Sequence, residues 1–240
     1  MSKDAMNEAL EELSTFSLSD APLGDTLQWV GHLALAALDP VDVVGITMLD
    51  SRGRPTTAMY SDERAPSIDE AQYRAGAGPC LDAWRLGHRV RLDDMTEARD
   101  RYPAFSEAAL AHSVLSSLSL PLRSRASDVG ALNLYATQTY AFTPDDEGEA
   151  ETFATAAAVV VANAAAYLAA TDMTVHLQEA LKSRAVIEQA KGMLMANAPD
   201  LTPDAAFAIL RRASQRENVK LREIALRIVE RRPIAEAPDT

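Results

Sequence analysis

The sequence predicts an α+β protein in which an antiparallel sheet with flanking helices precedes a purely helical C-terminal part. The segment VDVVGITMLD at 41–50 is rich in β-branched residues and bounded by turn residues, as strands are, and VGALNLYAT at 129–137 is the strongest strand candidate in the chain. From residue 144 to about 195 no proline interrupts a helical pattern, which predicts a long helix. The length of 240 residues suits one large or two small domains.

The first part of the chain predicts two helices and a β-hairpin. Residues 1–20 are acidic with a helical tendency and form an N-terminal extension, and residues 21–39 form an amphipathic helix. The strand at 41–50 then enters the turn DSRGRP, and TTAMYSD at 56–62 is its hairpin partner. We expect a loop around Pro66 after the hairpin.

Residues 76–137 predict two more helices and three more strands. Gly76, Gly78 and Pro79 mark a tight turn before a short helix. The later elements are a strand at 89–94 (RVRLDD), a helix at 102–112 (YPAFSEAALAH), a strand at 114–122 (VLSSLSLPL) and the strand at 129–137. Pro121 indicates that the strand at 114–122 is at the sheet edge or ends there, because proline donates no ladder hydrogen bond.

The long helix has a well-defined start. Thr143 is a good N-cap, Pro144 suits the first helical position, and carboxylates in the first turn face the helix dipole. A helix of this length either breaks near residues 170–174 or continues as a coiled coil. Apolar positions that favour a packed seam in its second half are Val175, Leu177, Ala180, Leu181, Ile187, Ala190 and Leu194.

The charge of the chain is unevenly distributed. The formal net charge is −12, but residues 176–240 hold 11 of the 23 Lys and Arg residues and 9 of the 35 Asp and Glu residues, so this part carries +2 and the rest −14. An acidic body repels nucleic acid, so any binding to an anionic partner is expected in the C-terminal part and should depend on salt.

Several classes of protein are excluded by composition. The N-terminal residues lack a signal-peptide pattern, and the uncharged segment 152–171 is mostly alanine with Asn163 in its middle, which favours a packed helix over a membrane span. The single cysteine, Cys80, rules out an internal disulfide and suits the cytoplasm. The four histidines have no zinc-site spacing, and no nucleophile and base are paired, so we expect no metal and no enzyme.

The C-terminal part predicts two short helices after the long one. Thr202 and Pro203 begin the first, whose inward positions are Ala206, Phe207, Leu210 and Ala213. Its opposite side carries Arg211, Ser214, Gln215 and Asn218 at spacings that place them on one face. In the second helix the predicted inward residues are Leu221, Ile224, Ala225 and Ile228, and the outward residues are Lys220, Arg222 and Arg227.

Two interpretations of the polar face remain open at this point. It is either a solvated helix surface, with Asn218 as a helix cap, or a binding face. Planar guanidinium and amide groups can form paired hydrogen bonds with phosphates or base edges, which favours binding.

Residues 177–230 resemble an ANTAR domain, the three-helix RNA-binding module of bacterial transcription antiterminators. The shared residues lie in LQEALKSRAVIEQAKGMLM (177–195) and TPDAAFAILRRASQRENVKLREIALRIVE (202–230). The resemblance implies a homodimer, formed through the long helix, that binds paired RNA stem-loops in nascent leaders and promotes transcription antitermination. It implies RNA contacts at Arg184, Lys191, Gly192, Arg211, Ser214, Gln215, Asn218 and Arg222.

Three of these residues also have simpler explanations. Lys191 is either a phosphate contact or a solvated lysine. Gly192 costs about 1 kcal/mol in a helix relative to alanine, so either RNA or another helix is expected to approach it closely. Asn218 is either a base contact or a cap.

The segment before the long helix resembles a GAF domain, an antiparallel sheet with flanking helices that often holds a small ligand. The resemblance rests on GAGPCLDAW (76–84), DRYPAF (100–105) and VGALNLYA (129–136), with Tyr102 where tryptophan is usual. Cys80 is a candidate ligand-contacting or redox thiol, although a lone cysteine at such a turn is more often a small buried residue. The cofactor is unknown from the sequence.

The sequence therefore predicts four segments: an N-terminal extension (1–20), a GAF-like sensor (21–170), the coiled-coil helix with the ANTAR domain (171–232) and a tail (233–240). The favoured function is a cytoplasmic, signal-responsive RNA-binding regulator. A DNA-binding regulator with helix-turn-helix-like geometry, or a sensor acting only through protein partners, are the alternatives.

Overall fold

The computed structural model divides into two compact units, residues 1–168 (unit 1) and 169–240 (unit 2). It describes residues 3–16, 22–50, 52–124 and 128–230, without the side chains at 3, 172, 174–178, 180 and 181. The predicted tail at 233–240 lies outside the described residues, as do the first and last residues of the predicted extension at 1–20.

Unit 1 is built on a five-stranded antiparallel sheet, which confirms the predicted fold class. The strand order is β2-β1-β5-β4-β3. The elements are α1 (Lys3–Thr15), α2 (Leu23–Ala37), β1 (Val43–Leu49), β2 (Pro55–Tyr60), α3 (Arg64–Ala75), α4 (Pro79–Leu86), β3 (Val90–Leu92), a 3₁₀ helix (Glu97–Asp100), α5 (Pro103–Ala111), β4 (Ser116–Arg123), β5 (Asp128–Ala136) and the start of α6 (Pro144–Asn197).

One face of the sheet packs against α1, α2 and α6. Leu132 and Leu134 of β5 enter this core with Val30 of α2 and Phe153 of α6, all fully buried. The alanines of α6 allow its backbone to come close to the sheet. The segment Pro144–Thr171 is long and apolar enough to cross a membrane, but 44% of its most apolar window is buried within the protein, as in the core helix of a soluble domain.

The other face of the sheet packs against α3, α4, α5 and the 3₁₀ helix. Tyr135 of β5 lies here because successive strand residues point to opposite faces. It packs near Phe105 of α5 at a ring-centroid distance of 6.4 Å. This second core is also fully buried, so both faces of the central strand β5 are covered.

The loop expected around Pro66 is wrong, because α3 spans this position. Proline is tolerated in the first turn of a helix, where its missing N–H has no helical partner. The side chain of Asp62 accepts a hydrogen bond from the backbone N–H of Arg64 at 2.9 Å, which supports the helix start. Gly76 ends the helix at φ 67, a left-handed conformation that glycine adopts readily.

The proline in β4 does not mark an edge strand, since β4 lies between β5 and β3. The short strand β3 pairs only with Ser117, Leu118 and Ser119. Pro121 lies beyond this pairing and faces only β5, where it pairs with Ala131. The missing N–H therefore costs no ladder bond on the β3 side.

Helix α6 begins as predicted and continues for 54 residues without a break. Thr143 and Asp146 exchange hydrogen bonds, the hydroxyl donating to Oδ2 at 2.6 Å and the Asp146 N–H donating to Oγ1 at 3.3 Å. In the next turn Glu147, which is 8% exposed, accepts from Arg89 at 2.8 Å and Arg91 at 2.6 Å. Arg89 also pairs with Glu151. These ion pairs attach the β3 edge of the sheet to the first turns of α6.

Unit 2 packs the end of α6 against α7 (Pro203–Glu217) and α8 (Leu221–Val229). Its hydrophobic cluster contains the fully buried residues Ala190, Leu210, Ile224 and Ala225, and Ile187 and Leu194 pack around them. Three positions of the expected coiled-coil seam, Ile187, Ala190 and Leu194, thus belong to this core. The side chains of the other four, Val175, Leu177, Ala180 and Leu181, lie outside the described residues.

The inward placement expected for Phe207 is wrong. Ala206 and Leu210 are fully buried, but Phe207 is 39% exposed. Leu210 and Ala213 of α7 belong to the small core of unit 2, and the buried Ala206 lies on the same side of the helix. The aromatic ring one position further round the helix therefore lies at the boundary with solvent.

Replacing Gly130 with alanine is expected to destabilise unit 1. A Cβ at Gly130 would lie 1.8 Å from the carbonyl oxygen of Thr47 on the neighbouring strand, and this backbone atom cannot move without opening the ladder. We expect the free energy of unfolding to fall by about 2 kcal/mol or more. Denaturant titration followed by tryptophan fluorescence measures it, because both tryptophans, Trp29 and Trp84, lie in unit 1.

The matched control is Gly148→Ala in α6, where an added Cβ meets nothing within 4 Å. This variant should keep or raise stability, by up to about 1 kcal/mol, because alanine is the better helix former. Equal stabilities for the two variants would contradict the close approach of β1 and β5.

Candidate nucleic-acid interface and buried polar cluster

The polar face of α7 is on the surface of unit 2. Arg211, Gln215 and Asn218 are exposed and Ser214 is half-buried. Phe207, Arg211, Ser214 and Asn218 follow one another at spacings of four, three and four residues, which places them in one narrow stripe along the helix. We call these four residues the α7 stripe. The structure thus brings the four α7 residues predicted to contact RNA onto one side and adds an aromatic ring to it.

The C-terminal end of the α7 stripe also has a structural role. Asn218 ends α7 in the left-handed conformation at φ 53, and its backbone N–H donates to the carbonyl of Ser214. The Ser214 hydroxyl donates to the carbonyl of Val219 at 2.6 Å. Asn218 is therefore a C-cap of α7, whereas the residue before α8 is Lys220. Its side-chain amide remains on the surface.

Glu217 fixes α7 to α8 through an ion pair. Its Oε2 accepts from Arg227 at 2.7 Å, and its carboxylate is mostly buried. The outward position expected for Arg227 is therefore only partly correct, since the residue is half-buried and paired. Lys220 and Arg222 are exposed as predicted. The cationic groups that α8 presents to solvent thus lie at its N-terminal end.

The predicted contacts on α6 differ in their surroundings. Arg184 and Gly192 are exposed, whereas the Lys191 side chain is only 15% exposed and its Nζ donates to both carboxylate oxygens of Glu188 at 2.9 Å. A phosphate that binds Lys191 must replace this partner. At Gly192 an added Cβ would meet nothing within 4 Å, so within the described residues no neighbouring helix requires glycine there.

A second site, not recognised in the sequence, lies beneath α3 and α4 in unit 1. Asp69 of α3 is fully buried and no cation contacts it among the described residues. Its carboxylate accepts four hydrogen bonds: from Tyr135 at 2.5 Å, Thr57 at 2.9 Å, Gln72 at 2.9 Å and Asn133 at 3.3 Å. We call Asp69 and these four donors the Asp69 cluster.

Burial and hydrogen bonds act in opposite directions on Asp69. Loss of hydration raises the pKa of the carboxyl, while the four donors lower it, and the net result is a pKa of about 6. The buried Oδ1 of Asn133 has no hydrogen-bond partner among the described residues, and neither do the hydroxyls of Ser117 and Ser119 on the same sheet face. This face of β4 and β5 therefore carries one buried amide oxygen and two buried hydroxyls that make no hydrogen bond within the described part of the chain.

Cys80 lies at the edge of the Asp69 cluster and is fully buried. Its Sγ donates to Thr47 Oγ1 at 3.1 Å, and its backbone N–H donates to Gln72 at 3.1 Å. Burial, together with the charge of Asp69, raises the pKa of the thiol to about 12. The sulfur is therefore a neutral thiol at physiological pH, which favours the simpler explanation of a small buried residue over a redox thiolate.

Tyr102, which stands where the resemblance expects tryptophan, has a specific contact. Its hydroxyl donates to Asp82 of α4 at 2.6 Å, and the guanidinium of Arg101 lies 4.8 Å from its ring centre. The substitution thus keeps an aromatic side chain and adds a hydrogen bond to α4. Among the described residues, no group of three or more His, Cys, Asp and Glu side chains is placed to hold a metal ion.

The Asp69 cluster predicts a pH-dependent stability for unit 1. The folded pKa of Asp69, about 6, is above the usual aspartate value of 3.8, so its stabilising contribution is complete below about pH 4 and is lost as the pH rises through 6. Relative to Asp69→Asn, a neutral near-isostere, the wild type should lose roughly 3 kcal/mol of unfolding free energy between pH 4 and 8. Denaturant titrations of both proteins across this range measure the difference; a difference that stays constant with pH would contradict a buried, titrating carboxyl.

Comparisons with known proteins agree with both resemblances. The GAF domain family matches residues 20–162, more than half of the chain, and the ANTAR domain family matches residues 175–229. No curated protein sequence matches the chain.

Solved structures with similar folds match the first part of the chain. One is the GAF domain of an Acinetobacter phosphoenolpyruvate-protein phosphotransferase, with 18% identity and a TM-score of 0.50 over 69% of this chain and 97% of that chain. Another is a free methionine-R-sulfoxide reductase from Neisseria meningitidis in complex with its substrate, with 18% identity and a TM-score of 0.53 over 70% of this chain and 95% of that chain. A further structure, described as the GAF domain, matches with 13% identity and a TM-score of 0.52 over 66% of this chain and 88% of that chain. At these identities the likeness shows the fold alone. The chain therefore belongs to the GAF domain family, and the ANTAR domain that follows makes it a GAF–ANTAR regulator.

Proposed function

We propose that this protein is a signal-responsive regulator that binds paired stem-loops in nascent RNA through unit 2 and promotes transcription antitermination. The observation that carries the proposal is the α7 stripe within an ANTAR domain, in which Arg211 and Asn218 are exposed and Ser214 is half-buried. Arginine and asparagine side chains at such spacing can bind phosphates and the edges of unpaired bases. The protein performs no chemistry in this account.

Electrostatics support a local interface. Unit 2 holds 11 Lys and Arg residues against 10 Asp and Glu residues, a formal charge of +1, whereas unit 1 carries −13, so RNA is expected to approach unit 2 and to be repelled by unit 1. Arg211, Arg212 and Arg222 are exposed on α7 and α8. Each phosphate contact releases counterions, and affinity is therefore expected to fall with added salt.

The GAF domain is the proposed sensor, with a small molecule as its signal. The neutral thiol of Cys80 and the absence of a paired nucleophile and base in the sequence support binding over catalysis. A ligand acts as a switch only if it binds two states of the protein with different affinity. We place the protein in the cytoplasm, where nascent transcripts form and a lone buried cysteine stays reduced.

The RNA-binding form is proposed to be a homodimer through α6. On the unit 1 part of this helix Val159, Asn163 and Ala166 are exposed at spacings of four and three residues, the repeat of a helix–helix seam. Small residues in such a seam allow close packing. Paired stem-loops require two binding faces, which a dimer supplies.

Arg211→Ala tests the RNA interface. A binding titration with a two-stem-loop leader RNA should give about tenfold weaker binding, and the slope of log K against log salt should become shallower by roughly 0.7–1, because one charged contact is lost. Arg52→Ala, which removes an exposed arginine in the β1–β2 turn of unit 1, is the matched control and should bind like the parent.

Unchanged affinity in Arg211→Ala would exclude this face, and stronger competition by duplex DNA than by unlabelled RNA would favour the DNA-binding alternative. Retention of no nucleic acid at all would favour a sensor that acts only through protein partners.

Val159→Glu tests the seam on α6. Sedimentation velocity of the parent should give twice the chain mass of 25.9 kDa, and a charge in the seam should shift the protein towards the monomer. Leu168→Glu is the matched control, because Leu168 is 43% exposed, close to the 49% of Val159, and lies nine residues on, on the opposite side of the helix. A monomeric parent, or dissociation by Leu168→Glu alone, would refute this seam.

A further inference from the structure

Phe207 is an exposed aromatic ring in an unusual position. It is 39% exposed and begins the α7 stripe, four residues before Arg211. The rise of 1.5 Å per residue separates these two positions by about 6 Å along the helix. Within the described residues of unit 2, the other large apolar side chains that reach solvent are Met173 on α6, Ile209 on another side of α7 and Leu226 on α8. Phe207 is thus the apolar member of an otherwise polar row.

The chemistry of this row fits an unpaired base. Sequence-specific RNA recognition relies on loop bases that are splayed out, stacked on aromatic rings or guanidinium planes and hydrogen-bonded at their edges. An aromatic ring followed by an arginine and an amide on one helix face supplies all three interactions. A phenylalanine has no polar group of its own, so stacking is the interaction it can add.

We propose that the ring of Phe207 is a stacking platform for one unpaired base of the RNA loop, while Arg211 binds the adjoining phosphate or base edge. This inference rests on the proposed RNA-binding function and deepens it by naming the part of the RNA that unit 2 reads, a single-stranded loop nucleotide. Phe207 then contributes affinity that depends little on salt, in contrast to Arg211.

A second protein chain is the less suitable occupant of this surface. Stable protein interfaces bury about 800 Å² on each partner, and their centres are depleted of charged residues other than arginine. The exposed part of Phe207 is flanked by the exposed Arg211 along the stripe, with Gln215 on the adjacent surface of α7. Burial of this ring against protein would remove those groups from water without a partner, whereas RNA provides phosphates for them.

The test uses the full chain and an RNA of two hairpins selected by that chain from a pool with randomised loops. Each loop adenosine is replaced in turn by 2-aminopurine, whose fluorescence falls when it stacks. The parent should quench at least one loop position. Phe207→Leu, which keeps an apolar side chain but has no ring face, should abolish that quenching and weaken binding by about 5- to 100-fold. The slope of log K against log salt should remain that of the parent, because no charged contact is lost.

Two variants make the result specific. Phe207→Tyr keeps the ring, so it should retain the quenching and an affinity within about twofold of the parent. Ile209→Ala removes an apolar side chain of similar exposure (36%) and should behave like the parent. The inference is overturned if Phe207→Leu binds and quenches as the parent does, or if its effect is a change of oligomeric mass. If the parent selects no RNA from the pool, the proposed function fails as well, an outcome distinct from the failure of the stacking contact alone.

Discussion

The burial of Leu210 determines which side chains of α7 reach solvent. Leu210 is fully buried with Ala190 of α6 and with Ile224 and Ala225 of α8. Once this row of α7 faces the core, the helical repeat places Arg211 and its neighbours on the other side. The ion pair between Glu217 and Arg227 fixes the end of the same helix to α8. A small apolar core therefore orients the polar face on which the proposed RNA binding depends.

A similar division organises the sheet of unit 1. Along β5 the residues alternate, so that Leu132 and Leu134 enter an apolar core while Asn133 and Tyr135 meet the buried carboxyl of Asp69. One face thus supplies hydrophobic stability and carries the first turns of α6, and the other holds the hydrogen-bonded Asp69 cluster. Burial of polar groups costs free energy unless they are hydrogen-bonded, and four donors to one carboxylate partly offset that cost.

Much of the fold followed from local sequence signals, and the differences have physical reasons. The strand β1 is predictable because its β-branched run ends at turn residues, and the starts of α6 and α7 are predictable from Thr-Pro pairs. Helix α3 replaces the loop expected around Pro66, because a proline in the first turn of a helix breaks no helical hydrogen bond. The burial of Asp69 depends on strands distant in sequence, and the sole local sign was a polar Asn133 within an apolar strand. Phe207 was placed inward because it is apolar, but the core of unit 2 has no room for its whole ring.

The central claim is that RNA meets the exposed side of α7 while the acidic unit 1 stays away from it. Ultraviolet crosslinking of a bound two-hairpin RNA, followed by mass spectrometry of the digested protein, tests this most directly because it reports the contacted residues without any substitution. The account predicts that crosslinked peptides come from unit 2 and centre on α7, residues 203–217. Crosslinks that map mainly to the sheet or helices of unit 1 would contradict it.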